Sequence, residues 1–518
     1  MSGVTTLTHA IGRQIEQLLE ARDWQRAAGL IEVHWGETLL TEPRRLRTWL
    51  FRFPEDFARR NSRIIQGKVY LDRIIDGPGS HTTKFRGGTS ASEAQSAFDR
   101  VTQLTIRAAA ARAGGDLNEA TQHALLARRV LDESAVDERE NMRPALPEMT
   151  YAWGYVWEHA GDLRPAFREY SYSYDLALLL GDLMGQSRSA AAIAWCHALA
   201  GRNSEARRWL ERVPEMGDDW WAPRSRAVVL LAEALLLSDR LSFDEARARL
   251  ALVDLQAASE RTHAHMYVSA LLAESPGEAM RLLVGVDAPA MTIADSASRG
   301  QSAAFVALSK HALLTKLGMH TAAREALGVD DDLGGEVISA LVRVQRIAAD
   351  AHAGLDERVM HAASLMSASS SHAPRALVAA LALRAAASRH LAMGTGADEF
   401  RLAASIASEQ ELYSPFALLP RADVRELTAD SNTLSPDVAD AIVRAARVDA
   451  GDPFQKLTPR ERAVLGVRLN DATLEEIATE HYLSINTVKS QIRSAYRKLG
   501  ISSVEELRSL AATYGFAG

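Results

Sequence analysis

Residues 154–170 read G-Y-V-W-E-H-A-G-D-L-R-P-A-F-R-E-Y and decide the fold. Small residues at Gly154 and Ala166 would let two antiparallel helices approach closely, and Gly161 would permit a tight turn between them. The aromatic side chains of Trp157 and Tyr170 would then fill the groove to the next helix pair. The stretch therefore predicts a helical hairpin.

Weaker copies of this pattern recur along the chain, with the apolar period of three and four residues that is typical of helices. The copies contain Ala27 and Ile31; Gly115 and Ala120; Ala194, Gly201, Ala206 and Leu210; Ala246 and Leu250; Gly318, Ala323 and Leu327; and Gly354 and Val359. The series resembles the tetratricopeptide repeat, whose helix pairs stack into a solenoid. The resemblance implies an all-α fold with a tetratricopeptide-like helical solenoid; the alternative is an irregular all-α domain.

The composition is that of a globular protein, with 47% hydrophobic residues, 24% charged residues and a formal net charge of −7. A nucleic-acid binder with this charge must carry its basic surface locally. The single cysteine, Cys196, excludes an intrachain disulfide and fits a reducing compartment. Neither a signal-peptide pattern nor a membrane-length apolar stretch occurs, so we expect a cytoplasmic protein without a membrane partner.

Capping residues predict four helix starts near the C-terminus. Residues 458–461, 473–476 and 503–506 each have the spacing of a capping box, in which a Ser or Thr and a Glu satisfy each other's backbone amides. Ser484 would cap a further helix without a Glu partner. Only residues 481–483 separate the second predicted helix from that cap, which is helix-turn-helix spacing.

The helix after Ser484 has two contrasting faces. Its apolar stripe consists of Ile485, Val488, Ile492, Ala495 and Leu499, and is expected to pack on Leu465, Leu469, Ile477 and Leu483. Its opposite face displays Thr487, Lys489, Ser490, Gln491, Arg493, Arg497 and Lys498. Residues 454–518 contain nine Lys or Arg and seven Asp or Glu, so this domain is +2 and the remainder is −7 − 2 = −9. The pattern favours a recognition helix in the major groove over a merely solvated surface.

The C-terminal segment resembles the LuxR-type family in L-T-P-R-E (457–461), E-I-A (476–478) and S-I-N-T-V-K-S-Q-I-R-S-A-Y-R-K-L-G (484–500). The resemblance implies that Lys489, Ser490 and Arg493 enter the major groove of double-stranded DNA. It implies that Thr487, Arg497 and Lys498 hold phosphates. Gln491 stands where the family often has His, and Asp471 where it usually has Gly, which suggests a changed sequence preference at Gln491.

The same resemblance implies a homodimer on DNA that forms through the fourth helix. The implied dimer contacts are Val504, Leu507, Arg508 and Ala511. RNA polymerase is a further partner that a regulator of this family would have.

The rest of the chain resembles the helical repeat arm of MalT-like regulators, but without their ATPase, because no G-x-x-x-x-G-K-[ST] string occurs. The resemblance rests on L-L-E-A-R-D-W-Q-R-A-A-G-L-I-E (18–32) and W-L-F-R-F-P (49–54). The predicted domains are N-terminal helical repeats (1–76), a flexible loop (77–98), the solenoid (99–430), a linker (431–453) and the DNA-binding domain (454–518).

A solenoid offers a concave face for a small molecule, a peptide or a protein. Tyr151, Tyr155, Tyr172 and Tyr174 are candidates for stacking on such a ligand, and the alternative is that they pack in the core. Residues 220–221, both Trp, are a second candidate or a plug between repeats. His263 and His265 would diverge on a helix, so we expect no metal site.

No motif of a hydrolase, metalloprotease or nucleotide-binding enzyme occurs, so we expect neither catalysis nor a cofactor. The sequence predicts a DNA-binding transcriptional regulator, an activator, whose helical repeats sense a ligand or a protein partner. The alternative is a helical-repeat interaction scaffold with no direct role at a promoter.

Overall fold

The structure is a computed structural model of the chain. It describes residues 2–76, 96–258, 261–290, 300–328, 335–369, 373–431, 434–446, 454, 457–469, 472–481, 483–499 and 501–514. Residues 77–95 of the predicted loop and residues 432–433 and 447–453 of the predicted linker lie outside the described residues, as does Asp471.

The described residues form α-helices joined by turns, without a β-strand, and the all-α prediction is confirmed. Helices α1 to α9 are Ser2–Glu20, Trp24–Val33, Trp35–Thr41, Pro43–Phe51, Glu55–Arg60, Ser62–Asp76, Ala97–Ala113, Leu117–Glu133 and Val136–Met142. Helices α10 to α19 are Leu146–His159, Leu163–Leu180, Leu183–Ala200, Asn203–Leu210, Ala222–Asp239, Phe243–Ala251, Thr262–Leu272, Pro276–Ala290, Gly300–Lys316 and His320–Glu325. Helices α20 to α25 are Glu336–His352, Asp356–Ser369, Pro374–His390, Ala397–Gln410, Arg421–Asp430 and Pro436–Ala445, and a 3₁₀ helix, Ser414–Leu418, precedes α24. Helices α26 to α29 are Pro459–Leu469, Leu474–Glu480, Ile485–Leu499 and Val504–Tyr514.

Each predicted copy that includes a turn glycine has that glycine between two consecutive helices, whereas the copies at Ala27 and Ala246 each lie within one helix. The matching residue of the second helix is buried, as at Ala166 and Ala206, which are 0% exposed. The turn glycines Gly161 and Gly201 have φ of +82° and +84°, a left-handed conformation that favours glycine. The period in the sequence therefore marks real helix hairpins.

Gly154 sets the distance between α10 and α11. A Cβ atom at Gly154 would lie 2.6 Å from Cδ1 of Tyr170, whose ring is fully buried. The hydroxyl of Tyr170 donates to Oε2 of the buried Glu158 at 2.6 Å, and Nη2 of Arg261 donates to the same oxygen at 2.9 Å. Burial opposes ionisation of Glu158, but the charge of Arg261 outweighs it and lowers the pKa of that carboxyl. Close packing thus positions a buried ion pair that joins α10 to the start of α16.

The Gly154→Ala variant should lose about 1–3 kcal/mol of unfolding free energy, because the added methyl overlaps the Tyr170 ring. Urea denaturation followed by circular dichroism would measure the loss. Gly285→Ala is the matched control, since Gly285 lies in α17 and a Cβ there meets nothing within 4 Å. That control should gain up to about 1 kcal/mol from helix propensity. Equal stability of the two variants would contradict the close-packing explanation.

The later helix pairs fold back onto the earlier ones. Helix α18 packs on α10 and α22 packs on α12, so that sixteen of the eighteen residues of α12 are buried. Nη2 of Arg164 lies 2.6 Å from Oε2 of Glu336, and the backbone N–H of Ser204 donates to Gln410 at 3.1 Å. The chain's own helices therefore cover α10 and α12 where an open solenoid would expose a concave face.

A buried ionic cluster fastens this closure. Asp239 at the end of α14 accepts hydrogen bonds from Arg375 at the start of α22, with Nη2–Oδ2 at 2.7 Å. Arg375 Nη2 also donates to the carbonyl of Ala198 at 2.7 Å, while Asn203 and Ser414 donate to the carboxylate at 3.0 Å and 2.6 Å. Asp239 is 0% exposed and Arg375 8%. One ion pair thus connects four separate segments of the helical body.

Helices α1 to α6 have a core of their own, which residues from the helical body complete. Met184 and Trp221 belong to this N-terminal core, and Trp221 is 5% exposed. Nε1 of Trp220 donates to the carbonyl of Leu40 at 3.2 Å. The two tryptophans predicted as a plug between repeats thus lie between the N-terminal helices and the rest of the chain.

Two predicted boundaries differ from the observed elements. Helix α25, Pro436–Ala445, lies inside the range predicted as a linker, because Ala441 and Ile442 are buried and Ile442 packs in the core of the helical body. Helix α7 begins at Ala97, inside the range predicted as a loop, since the Ser96 hydroxyl accepts the backbone N–H of Asp99 at 3.2 Å and caps it.

Candidate nucleic-acid interface

Two of the predicted capping boxes form as expected. At α26 the backbone N–H of Thr458 donates to Oε2 of Glu461 at 2.7 Å, and the N–H of Glu461 donates to the Thr458 hydroxyl at 3.2 Å. At α27 Thr473 and Glu476 make the same reciprocal bonds at 2.7 Å and 3.3 Å. These bonds fix where the first two helices of the domain begin.

The other two caps differ in part from the prediction. The Thr487 N–H donates to the Ser484 hydroxyl at 3.1 Å, so Ser484 caps α28 as predicted. At α29 the Glu506 N–H donates to Ser503 at 3.1 Å, but the Glu506 carboxylate accepts from the N–H of Ser502 at 2.6 Å instead of closing on Ser503. The third predicted box is therefore wrong by one residue, because the Glu506 side chain reaches one position further back.

The apolar face of α28 holds it between its neighbours. Val488 packs with Val464 and Ile477, and Ala495 packs with Leu465, in two small cores that Ile492 joins. Ile485 is an exception to the predicted stripe: it is 41% exposed. As the first residue of α28 it belongs to neither core. Helix α28 is thus held from one side only.

The opposite face of α28 is open. Lys489, Ser490, Arg493 and Arg497 are exposed, and none of the three cations has an ion-pair partner within the described residues. Gln491 is half-buried. A helix with one side buried and three unpaired cations on the other can enter a groove lined with phosphates and base acceptors.

Thr487 lies at the start of the helix, where its hydroxyl is within 2.8 Å of the Ser484 hydroxyl. It is exposed together with its neighbours on the open face.

Lys498, predicted as a phosphate contact, makes an ion pair inside the domain. Its Nζ lies 2.7 Å from Oε2 of Glu461, a carboxylate that is 3% exposed. Burial opposes ionisation of Glu461, but hydrogen bonds from Lys498, Thr458 and Ser494 outweigh it and lower the pKa from 4.5 to about 2. The prediction that Lys498 is free to hold a phosphate is therefore corrected, because the lysine neutralises a buried charge.

The Lys498→Ala variant should destabilise the domain by about 1–3 kcal/mol, because it leaves a buried carboxylate without its cation. Amide hydrogen exchange of α26 and α28 in the full chain would detect the loss. The same carboxylate gives its full contribution to stability above pH about 4.5 and loses it as the pH falls toward 2, since its pKa in the folded state is depressed.

Arg497→Ala is the matched control for Lys498→Ala. Arg497 is the neighbouring residue, is exposed and has no ion-pair partner within the described part of the domain. It should leave amide protection unchanged and weaken DNA binding. If Lys498→Ala left amide protection unchanged but weakened DNA binding, Lys498 would contact a phosphate, as the sequence predicted.

The predicted dimer residues lie on α29 in two different environments. Leu507 and Ala511 are 0% and 5% exposed and belong to the domain core with Ala495. Val504 and Arg508 are half-buried. A contact surface on this helix can therefore use Val504 and Arg508, whereas Leu507 and Ala511 hold the helix in place.

The four candidate tyrosines do not form one surface. Tyr151 and Tyr155 stack on each other with ring centroids 6.1 Å apart, and Tyr155 is buried. The Tyr172 ring lies 4.7 Å from the guanidinium of Arg128, and the Tyr174 ring lies 5.1 Å from Trp209. Each ring already contacts a protein group, in three separate places.

No cluster of three possible metal ligands, with His263 and His265 or elsewhere, occurs among the described residues. Burial lowers the pKa of both imidazoles.

The sequence did not reveal the role of Lys498, since Glu461 precedes it by 37 residues and no local spacing links the two. The free cations Lys489 and Arg493 were predictable, because the helical period alone places them opposite the apolar stripe.

Comparison with known proteins identifies this domain. Residues 455–511 match the family described as bacterial regulatory proteins, luxR family. No curated protein and no solved structure matches the chain. The match supports a DNA-binding transcription regulator with a LuxR-type helix-turn-helix, and that family is not one of enzymes. Among the described residues, no helix is long and apolar enough to span a bilayer.

Proposed function

We propose that the chain activates transcription by binding specific double-stranded DNA sequences through α28. The observation that carries this proposal is the exposed pair Lys489 and Arg493 on the open face of a helix whose other face is buried. Lys489, Ser490 and Arg493 would reach base edges in the major groove, where Arg and Lys bind the guanine acceptors. Arg497, Thr487 and Gln491 would fix the helix against phosphates or a neighbouring base.

The DNA-bound form would be a homodimer. Val504 and Arg508 on α29 supply the accessible contact, and two copies of α28 would then read two half-sites about one helical turn apart. RNA polymerase would be the partner through which the bound dimer activates transcription. The N-terminal helices α1 to α6 and the helical body, α7 to α25, would sense a small molecule, a peptide or a protein and control this step.

Selection from random-sequence duplexes tests the proposal with the full chain. We expect enrichment of a motif made of two related half-sites. Affinity for that motif should fall steeply as salt rises, because bound phosphates release counterions. Absence of an enriched motif, together with no salt dependence, would instead favour an interaction scaffold whose C-terminal domain binds a protein.

A further inference from the structure

A cavity of about 1150 Å³ lies between the N-terminal helices and the helical body. Helices α2, α3 and α6 line one side, and α7, α9 and α10 line the other. The two sides are joined on one flank by Arg63, whose guanidinium lies 4.9 Å from the Phe98 ring. They are joined on the other flank where Tyr70 meets Glu148 and Arg188. The interface of two docked units is a common place for a small-molecule site.

Small side chains leave the space open. A Cβ atom at Gly29 or Gly36 would meet nothing within 4 Å, and the facing side of α7 presents Ala109, Ala110 and Ala113. Larger apolar residues, among them Ile31, Leu39, Phe98, Ile106 and Met149, form the rest of the wall. The cavity therefore offers mainly apolar contact area, which favours an apolar ligand.

The charged groups of the wall are mostly acidic. At one end Arg63 is shared by two carboxylates, Glu32 at 2.7 Å and Asp99 at 3.1 Å. Burial raises the pKa of Glu32 although Arg63 opposes the shift. Arg63 is the one cation among the described residues that line the cavity. This end therefore has one more carboxylate than it has cations.

The other end has the same imbalance. Arg188 forms an ion pair with Glu148, and both of these charges are close enough to Asp182 to act on its carboxyl. Asp182 caps α12 by accepting the N–H of Gly185 at 3.0 Å, and burial raises the pKa of its carboxyl. A ligand cation at either end would stabilise an ionised carboxylate, whereas a ligand anion would be repelled.

We propose that this cavity binds an apolar molecule that carries a basic amine. The ammonium group pairs with the carboxylates at the Glu32 end or the Asp182 end, and the apolar part lies along α7. Fatty acids, nucleotides and other anions of similar size are excluded by charge. This inference deepens the sensing part of the proposed function, since a ligand that contacts both units stabilises their docking by mass action.

The first test uses three probes of equal chain length with the full-length protein, below their micellar concentrations. Calorimetry at neutral pH should show that decylamine binds at least about tenfold more tightly than decanoate, with decanol between them, because charge is the only systematic difference. Decylamine should also raise the melting temperature. Equal or tighter binding of decanoate, or no binding of decylamine, would overturn the proposal.

The second test fills the cavity. Gly36→Phe should weaken decylamine binding by at least about tenfold while the helical content stays unchanged, because the new ring occupies open space. Gly285→Phe is the matched control, since Gly285 is also a helical glycine with open space around it but lies outside the cavity. Unchanged binding in Gly36→Phe would place the amine elsewhere and overturn the proposal.

The third test removes the carboxylates. Asp182→Asn keeps a capping side chain, and Glu32→Gln keeps the size of the residue; at least one of them should reduce the preference for decylamine over decanoate. Asp116→Asn, a cap residue of α8 outside the cavity, is the control. An unchanged preference in both variants would contradict the assigned role of these carboxylates. Duplex selection on the same preparations separates the outcomes, since failure to select DNA would leave amine binding intact.

Discussion

The double variant Lys489→Ala, Arg493→Ala should lose at least roughly 30-fold in affinity for its selected duplex, because two base contacts contribute about 1–3 kcal/mol each. Both side chains are exposed on the open face of α28, and neither has an ion-pair partner in the described part of the domain. Their removal should leave the two cores beneath Val488 and Ala495 intact. Fluorescence anisotropy with the selected and a scrambled duplex would measure affinity and selectivity together.

A charge-matched control separates groove contacts from net charge. Arg401→Ala, Arg444→Ala removes two cations that form exposed pairs with Asp398 and Asp440 on helices outside the DNA-binding domain. This variant should bind the selected duplex almost as well as the parent protein. If the Lys489 and Arg493 variant bound equally well, α28 would not be the recognition helix and the proposed function would be wrong.

The Arg375→Met variant should lose about 3–5 kcal/mol of unfolding free energy, because it leaves Asp239 as a buried charge without its partner. Arg375 also donates to the carbonyls of Ala198 and Leu199, which become unsatisfied when the guanidinium is removed. Urea denaturation of the full chain would measure the effect. The expected loss of unfolding free energy is several times the contribution of an exposed ion pair, which is usually about 0–1 kcal/mol.

Two further variants make this measurement decisive. Arg401→Met breaks an exposed pair on α23 and should change stability by less than about 1 kcal/mol. Arg375→Met, Asp239→Leu removes both charges and should recover part of the loss, because no lone charge then stays buried. If Arg375→Met were no more harmful than Arg401→Met, the ion pair would not fasten the closure of the helical body.

The helix hairpins could be predicted from the sequence because their determinants are local. A small residue on each helix and a glycine in the turn act over about a dozen positions, as at Gly154, Gly161 and Ala166. The same holds for the C-terminal domain, where Thr458 and Thr473 mark helix starts by bonds to residues three positions away. The open face of α28 follows directly from its period.

The closure of the body and the cavity could not be predicted in this way. The Arg375–Asp239 bond joins residues 136 positions apart, and no periodicity reports such a pairing. Lys498 resembled its neighbours on the basic face, and only the folded domain brings it to Glu461. The four tyrosines suggested a ligand surface because aromatic crowding has the same appearance in a core and in a binding site.

The fold-back of α18 and α22 onto α10 and α12 changes how this array can evolve and unfold. In an open array each repeat contacts only its neighbours, so units can be duplicated, deleted or melted one after another from the ends. Here the loss of one late hairpin would expose apolar residues of an early one to solvent, since α12 has sixteen of its eighteen residues buried. The number of hairpins is thus fixed by geometry, and the body should denature as one cooperative block.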